Sequence, residues 1–197
     1  MELLGGWSAV GLDVAAEGIE SARAAGLNVL QASALEIPWP TASVDLVITL
    51  DVLQHLPLDG GDDTALREIH RVLRPGGVLF VRTNALAYPR TRDDPRFDFR
   101  KYKPDQLRAR LEHTGFEVRR LSRINALLGL VEIPRELRAN RQQKHDGYHG
   151  LLATPSPDSR ASRAIKRWWL NVEGRAIASG LSLPLGRSIV ALAVAKP

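Results

Sequence analysis

Two hydrophobic periodicities alternate along the first half of the chain. Residues 7–12 are largely apolar and end at Asp13, as a short strand would. Residues 15–25 place Ile19 and Ala22 on one face, with Gly26 as a C-terminal stop, which predicts a helix. Residues 28–31 predict a second short strand, and Pro38, Trp39 and Pro40 mark a loop. Residues 44–50 (VDLVITL) form a nearly continuous apolar run, expected of a strand buried on both faces. Residues 62–73 set Leu66, Ile69, Val72 and Leu73 at helical spacing. Pro75-Gly76-Gly77 then stops the helix, and residues 78–81 read as the next strand.

This β-α-β-α-β order implies a parallel sheet flanked by helices and joined by right-handed crossovers. The second half is less regular. Pro104 suits the first position of a helix running to Thr114, with Gly115 as its stop. Residues 116–124 predict a strand, and residues 126–144 a basic helical segment broken by Pro134. Residues 151–160 read as loop, residues 161–174 as a helix carrying Trp168 and Trp169, and residues 188–195 (SIVALAVA) as a final strand.

The chain has 197 residues, 44% of them apolar, which fits one soluble domain and excludes a mainly disordered chain. There is no cysteine, so disulfides, thiolate metal sites and cysteine nucleophiles are excluded. The N-terminus lacks a basic n-region and no apolar run is long enough to span a bilayer, so a cytoplasmic protein is expected. The formal net charge is +5, unevenly spread: residues 1–89 are net acidic and the remainder net basic. A basic second half favours acidic partners, although only five of the 27 cations are lysine and acids such as Asp93, Asp94, Glu112 and Glu117 interrupt it.

In open α/β sheets ligands bind beyond the carboxyl ends of the strands. The residues there are Asp13; Ser33, Ala34 and Leu35; Thr49 to Gln54; and Arg82 to Asn84. A strand-end carboxylate suits a ribose, since it accepts hydrogen bonds from two hydroxyls, though it equally suits a helix cap. The ordered set is more specific. The strand ending in Asp13, the ALEIP segment at 34–38, VDLVITLDVLQHL and EIHRVLRPGG closely resemble class I S-adenosylmethionine-dependent methyltransferases, in the small-molecule branch typified by quinone-biosynthesis enzymes. The resemblance is strong over residues 7–84 and extends to 98–124 and the last strand.

The resemblance implies a Rossmann-like, doubly wound, mostly parallel sheet with an antiparallel last strand, in a single domain. Residues 1–84 would be its cofactor side, 85–125 its acceptor side, 126–180 a helical lid and 188–195 its final strand. It implies S-adenosylmethionine as cofactor, with Asp13 on the ribose hydroxyls and Val14 against the adenine. Ser33 would make a neutral hydrogen bond to the adenine amino group where the family often has an Asp. The Ala34 N–H would meet a ring nitrogen beside Leu35, and Thr49 and Leu50 would border the methionine part. No metal is implied.

One family feature is missing: the first strand with its D-x-G-x-G-x-G loop, and the helix after it, of which residues 2–6 resemble only the end. That strand would separate those at 7–12 and 44–50, so its absence leaves two edges needing partners. Three explanations arise: a start lying upstream, a decayed remnant, or strands that close the gap and pair directly. The expected function is methyl transfer to a small-molecule acceptor of unspecified identity. The alternative is a non-catalytic or truncated methyltransferase-like protein with weak or no cofactor binding and self-association through unpaired edges. His55, in the turn after the central strand, is the candidate base for a hydroxyl acceptor, and a packed or capping role is the other reading. Asp51 is a candidate N-cap, while His70 and His113 read as surface or structural. His145, Asp146 and His149 lie in a loop and are not read as a metal site. Arg90, Arg92, Arg96, Arg100 and Lys101 are candidates for an acidic acceptor. LDVL is not an N-P-P-Y motif, so nucleic-acid base methylation is disfavoured.

Overall fold

The structure, a computed structural model, describes residues 8–85, 100–126 and 160–197. The expected helix end at 2–6, the segment 126–144 beyond its first residue, and the loop at 151–159 lie outside the described residues. The elements run β1 (Gly11–Asp13), α1 (Ala16–Ala24), β2 (Val29–Gln31), β3 (Val44–Leu50), α2 (Gly61–Val72), β4 (Leu73–Asn84), α3 (Pro104–His113), β5 (Phe116–Ile124), α4 (Arg160–Ala178) and β6 (Ser188–Ala195). A 3-10 turn at Leu53–His55 separates β3 from α2.

The strands form two sheets. β1 pairs with β2 in parallel, and a separate four-stranded sheet has the order β3-β4-β6-β5. β3 and β4 are parallel, and β6 is antiparallel to both β4 and β5. The antiparallel last strand matches the expectation. The single sheet does not: among the described residues β1 and β3 do not pair, so the gap between them is not closed by direct bonding. β4 also starts earlier than expected, because Leu73 already pairs with Val44. The Pro75-Gly76-Gly77 turn lies inside that strand's span. There Gly76 takes a φ of +78°, and a Cβ on Gly77 would come within 2.8 Å of the Arg74 carbonyl, so both glycines are required.

The two faces of the larger sheet differ. Leu79 and Val81 on β4, with Ile189, Ala191, Ala193 and Ala195 on β6, are buried against Ala65, Leu66 and Ile69 of α2 and Leu107 and Leu111 of α3. By strand alternation the opposite face carries the row Ile48, Phe80 and Leu192, which the register sets side by side. There Ile48 is 48% exposed. A two-face-apolar β3 therefore has one face packed and the other half bare.

Two polar clamps tie loops to α2. Asp62, in its first turn, is fully buried and pairs with Arg100 and with Arg110 Nε at 3.2 Å, and accepts the Tyr102 hydroxyl proton at 2.9 Å. Arg110 reaches Asp63 at 2.7 Å as well. Burial pushes the Tyr102 hydroxyl pKa up, so it remains a donor. Arg100 additionally donates to the Pro57 carbonyl at 2.7 Å. One carboxylate thus binds the 53–60 turn, the segment entering α3, and α3 itself. The second clamp is the i,i+3 pair Glu68 and Arg71. Glu68 accepts the Ile37 N–H at 3.0 Å, while Arg71 donates to the Ile37 and Trp39 carbonyls at 2.9 and 2.8 Å. The hydrogen bond from Arg71 is the main cause holding the Glu68 pKa below its usual value.

Asp62→Ala leaves two guanidinium groups facing a buried vacancy, and is expected to cost about 3–5 kcal/mol in urea unfolding. A loss under 1 kcal/mol would show that the cluster is not holding the fold together. The Glu68 carboxylate, with its lowered pKa, contributes stability that is present above the carboxylate range and is lost as pH falls below about 4.5. Acid unfolding should therefore be shallower in Glu68→Gln than in the parent, and parallel curves would contradict this.

Candidate functional site

The carboxyl edges of β1 and β2 bring one group of expected site residues together. Asp13 closes β1, and its carbonyl accepts the Ala32 N–H at 3.0 Å. The Gln31 side chain donates to the Val14 carbonyl at 3.0 Å. These bonds set Asp13 and Val14 beside the Ser33–Leu35 turn. Asp13 Oδ1 accepts the Ala15 N–H at 2.9 Å, an engagement at the start of α1 that leaves Oδ2 for another donor. Val14 is 65% exposed, an apolar surface open for a planar ring. Ser33 Oγ accepts the Leu35 N–H at 3.1 Å, so one of its lone pairs already shapes the turn. The Glu68 and Arg71 clamp fixes the chain immediately beyond, at Ile37 and Trp39.

A second group gathers at the carboxyl ends of β3 and β4. Thr49 is buried, and its hydroxyl has no hydrogen-bond partner. Leu50 is largely exposed. Asp51 has a φ of +59°, a left-handed conformation uncommon outside glycine. It is held there by its N–H, which donates to the Arg82 carbonyl at 2.9 Å, and by a 3.3 Å ion pair with the Arg82 guanidinium. Val52, not Asp51, occupies the N-cap of the 3-10 turn, and no side chain caps it. The capping reading of Asp51 is thus replaced by pairing with β4.

Gln54 contacts His55. Gln54 is buried, and its Oε1 accepts the Asn84 N–H at 2.9 Å, which fixes the orientation of the amide. Its Nε2 therefore donates, and lies 3.2 Å from His55 Nε2. A neutral imidazole that accepts at Nε2 carries its proton on Nδ1. Taking a proton at Nε2 requires breaking the Gln54 contact. Gln54 falls in the strand-end run Thr49 to Gln54, but no periodicity or spacing points to its bond with the Asn84 N–H.

Other candidates divide. Arg100 is committed to Asp62 and Pro57, Lys101 is exposed, and Arg90, Arg92 and Arg96 lie outside the described residues. His70 stacks edge-on against Phe116 with centroids 5.2 Å apart, a packing role, and His113 is exposed. His145, Asp146 and His149 lie outside the described residues, among which no cluster of three metal-ligating side chains occurs. No helix there is long and apolar enough to cross a membrane.

The residues present fit part of a nucleoside cofactor: a strand-end carboxylate with a spare oxygen, an exposed apolar platform and a turn alongside. The two groups stand on separate sheets, and no described strand joins them.

Known proteins resemble this chain in sequence over its first part and in fold. Residues 1–81 match the family described as "Methyltransferase domain". A probable S-adenosylmethionine-dependent methyltransferase of Mycolicibacterium smegmatis is 35% identical over 115 residues, covering 57% of this chain and 44% of that protein. A trans-aconitate 2-methyltransferase of Azoarcus is 40% identical over 103 residues, 52% of this chain and 38% of its own. A SAM-dependent methyltransferase from Archaeoglobus fulgidus superposes with a TM-score of 0.59 at 16% identity, over 98% of this chain and 79% of that one, a likeness of fold. The chain spans less than half the length of the curated relatives named here. Over residues 1–81 the chain is thus similar in sequence to S-adenosylmethionine-dependent methyltransferases, and its fold is similar to theirs.

Proposed function

We propose that this chain serves S-adenosylmethionine-dependent methyl transfer to a small-molecule acceptor. The observation that carries the reading is Asp13, a strand-end carboxylate with one oxygen unengaged, beside exposed Val14 and the Ser33–Leu35 turn. Asp13 would hold the ribose hydroxyls, Val14 and Leu35 the adenine faces, the Ala34 N–H a ring nitrogen and Ser33 the amino group. Thr49 and Leu50 would border the methionine portion. The cofactor supplies an activated methyl on a sulfonium, so the chain's contribution is in-line positioning and a dry surround.

His55 is the proposed proton-handling residue. In the geometry described, its Nε2 accepts from Gln54, so a hydroxyl acceptor needing a base must displace that bond. A carbon or amine acceptor that needs no base is served without rearrangement. Residues 85–125 would form the acceptor side and residues 126–180 a lid over it. The commitment of Arg100 to Asp62 removes one cation from the set proposed for an acidic acceptor.

A second reading, weak or absent cofactor binding, is favoured by the separation of β1 from β3. The residues proposed for the ribose and adenine are among those described, whereas none described is proposed as a backbone cradle for the methionine end. Open strand edges also favour self-association.

Calorimetry of the 197-residue chain with S-adenosylmethionine separates the two readings, and the second predicts no saturable binding in the micromolar range. Micromolar binding with turnover on an acceptor is the outcome of the first reading and would overturn the second. In a longer form that does bind, Asp13→Ala should weaken affinity by about 1.5–3 kcal/mol, as expected for hydrogen bonds to a charged group. An unchanged dissociation constant would refute the ribose role.

A further inference from the structure

Helix α4 carries two buried polar atoms that the fold does not use. Glu173 is 5% exposed, with Oε1 3.3 Å from the Ala126 N–H it accepts and Oε2 without any partner. Trp169, one turn earlier on the same helical face, has a buried Nε1–H that is also without a partner. A buried carboxylate oxygen and a buried indole donor left unsatisfied are costly and call for an explanation. Anchoring α4 to the chain beyond β5 explains only Oε1.

Their position points to a ligand. β5 runs parallel to β3 and β4, so Ala126, just past its end, lies on the same carboxyl edge as Asn84 and the Gln54 and His55 turn. Ser188 pairs with Asn84 on one side and Ile124 on the other. Two strand spacings, roughly 10 Å, therefore separate the end of β5 from the end of β4. Asn125, between them and α4, has a φ of +63°, a left-handed residue at the edge where function concentrates strain.

We propose that Glu173 and Trp169 form a subsite for the amino-alcohol end of an acceptor, resting on the methyl-transfer reading above. The ammonium donates to Glu173 Oε2, and the neutral oxygen accepts from Trp169 Nε1–H. A carboxylate in place of the hydroxyl would stand beside the Glu173 carboxylate and is disfavoured, so an amino acid fits less well. An ammonium held here would be a distal anchor, leaving the reacting atom of a longer acceptor to reach the β3 and β4 ends.

The test is a titration of the 197-residue chain with ethanolamine, followed by the indole N–H resonances of its four tryptophans, with Trp169 assigned from Trp169→Phe. The expected result is a saturable shift of the Trp169 resonance, weakened about tenfold or more in Glu173→Gln, the scale of a lost charge-assisted hydrogen bond. Glu173→Gln keeps an oxygen for the Ala126 N–H, so unfolding in urea should change little and certify the fold. Ethylamine, lacking the oxygen, and acetate, lacking the cation, should each bind more weakly. No shift with ethanolamine, a shift indifferent to Glu173→Gln, or equal response to acetate overturns the subsite. No S-adenosylmethionine is present, so failure here leaves the methyl-transfer reading standing, and failure of the Asp13 prediction leaves this binding result intact.

Discussion

A parallel strand inside an α/β sheet needs a hydrogen-bonding neighbour on each side, and β3 has one among the described residues. Its other edge has no strand partner among the described residues, and its sequence is apolar on both faces. Half of that investment is realised: Val47 packs towards α2 and α3, while Ile48 and Leu50 remain exposed. The consequence extends across the molecule. Because β1 pairs only with β2 among the described residues, the residues proposed for ribose and adenine stand by one small sheet and those proposed for the reacting end by another.

What holds the larger unit together is therefore one-sided. The core lies between the inner face of β4 and β6 and the helices α2 and α3. The loops that line the carboxyl edge are fixed by buried or half-buried charge rather than by apolar packing. Asp62 gathers Arg100, Tyr102 and Arg110, and Glu68 with Arg71 clasps the backbone at Ile37 and Trp39. Both clamps start on α2, so this helix positions the turn carrying His55 and the chain following Ser33–Leu35 at once. Gln54 then couples the His55 ring to β4 through the Asn84 N–H.

Elements with a strong local pattern were legible from the chain alone. The segments predicted as strands at 44–50, 116–124 and 188–195 are β3, β5 and β6 without adjustment, and Pro104 begins α3. The carboxyl-edge positions of Asp13 and Thr49 followed from strand ends. Relations between distant residues were not legible. The Asp62 bonds to Tyr102 and Arg110 join positions 40 and 48 residues apart, and no periodicity marks them. Gln54 meets Asn84 across 30 residues, so the constraint on His55 was invisible. The split of the sheet was misjudged for a different reason: an apolar strand reports what would bury it, and not whether that neighbour is there.

Amide hydrogen exchange along β3 tests this account most directly, because successive N–H groups of a strand point to alternate sides. The account predicts alternation: amides of β3 facing β4 are protected, and those between them exchange at nearly the open-chain rate. The amides of β4 at Leu79, Phe80 and Val81, flanked by β3 and β6, should all be protected. Uniform protection along β3 would mean that its second edge is paired, and would contradict the open division between the two halves of the site.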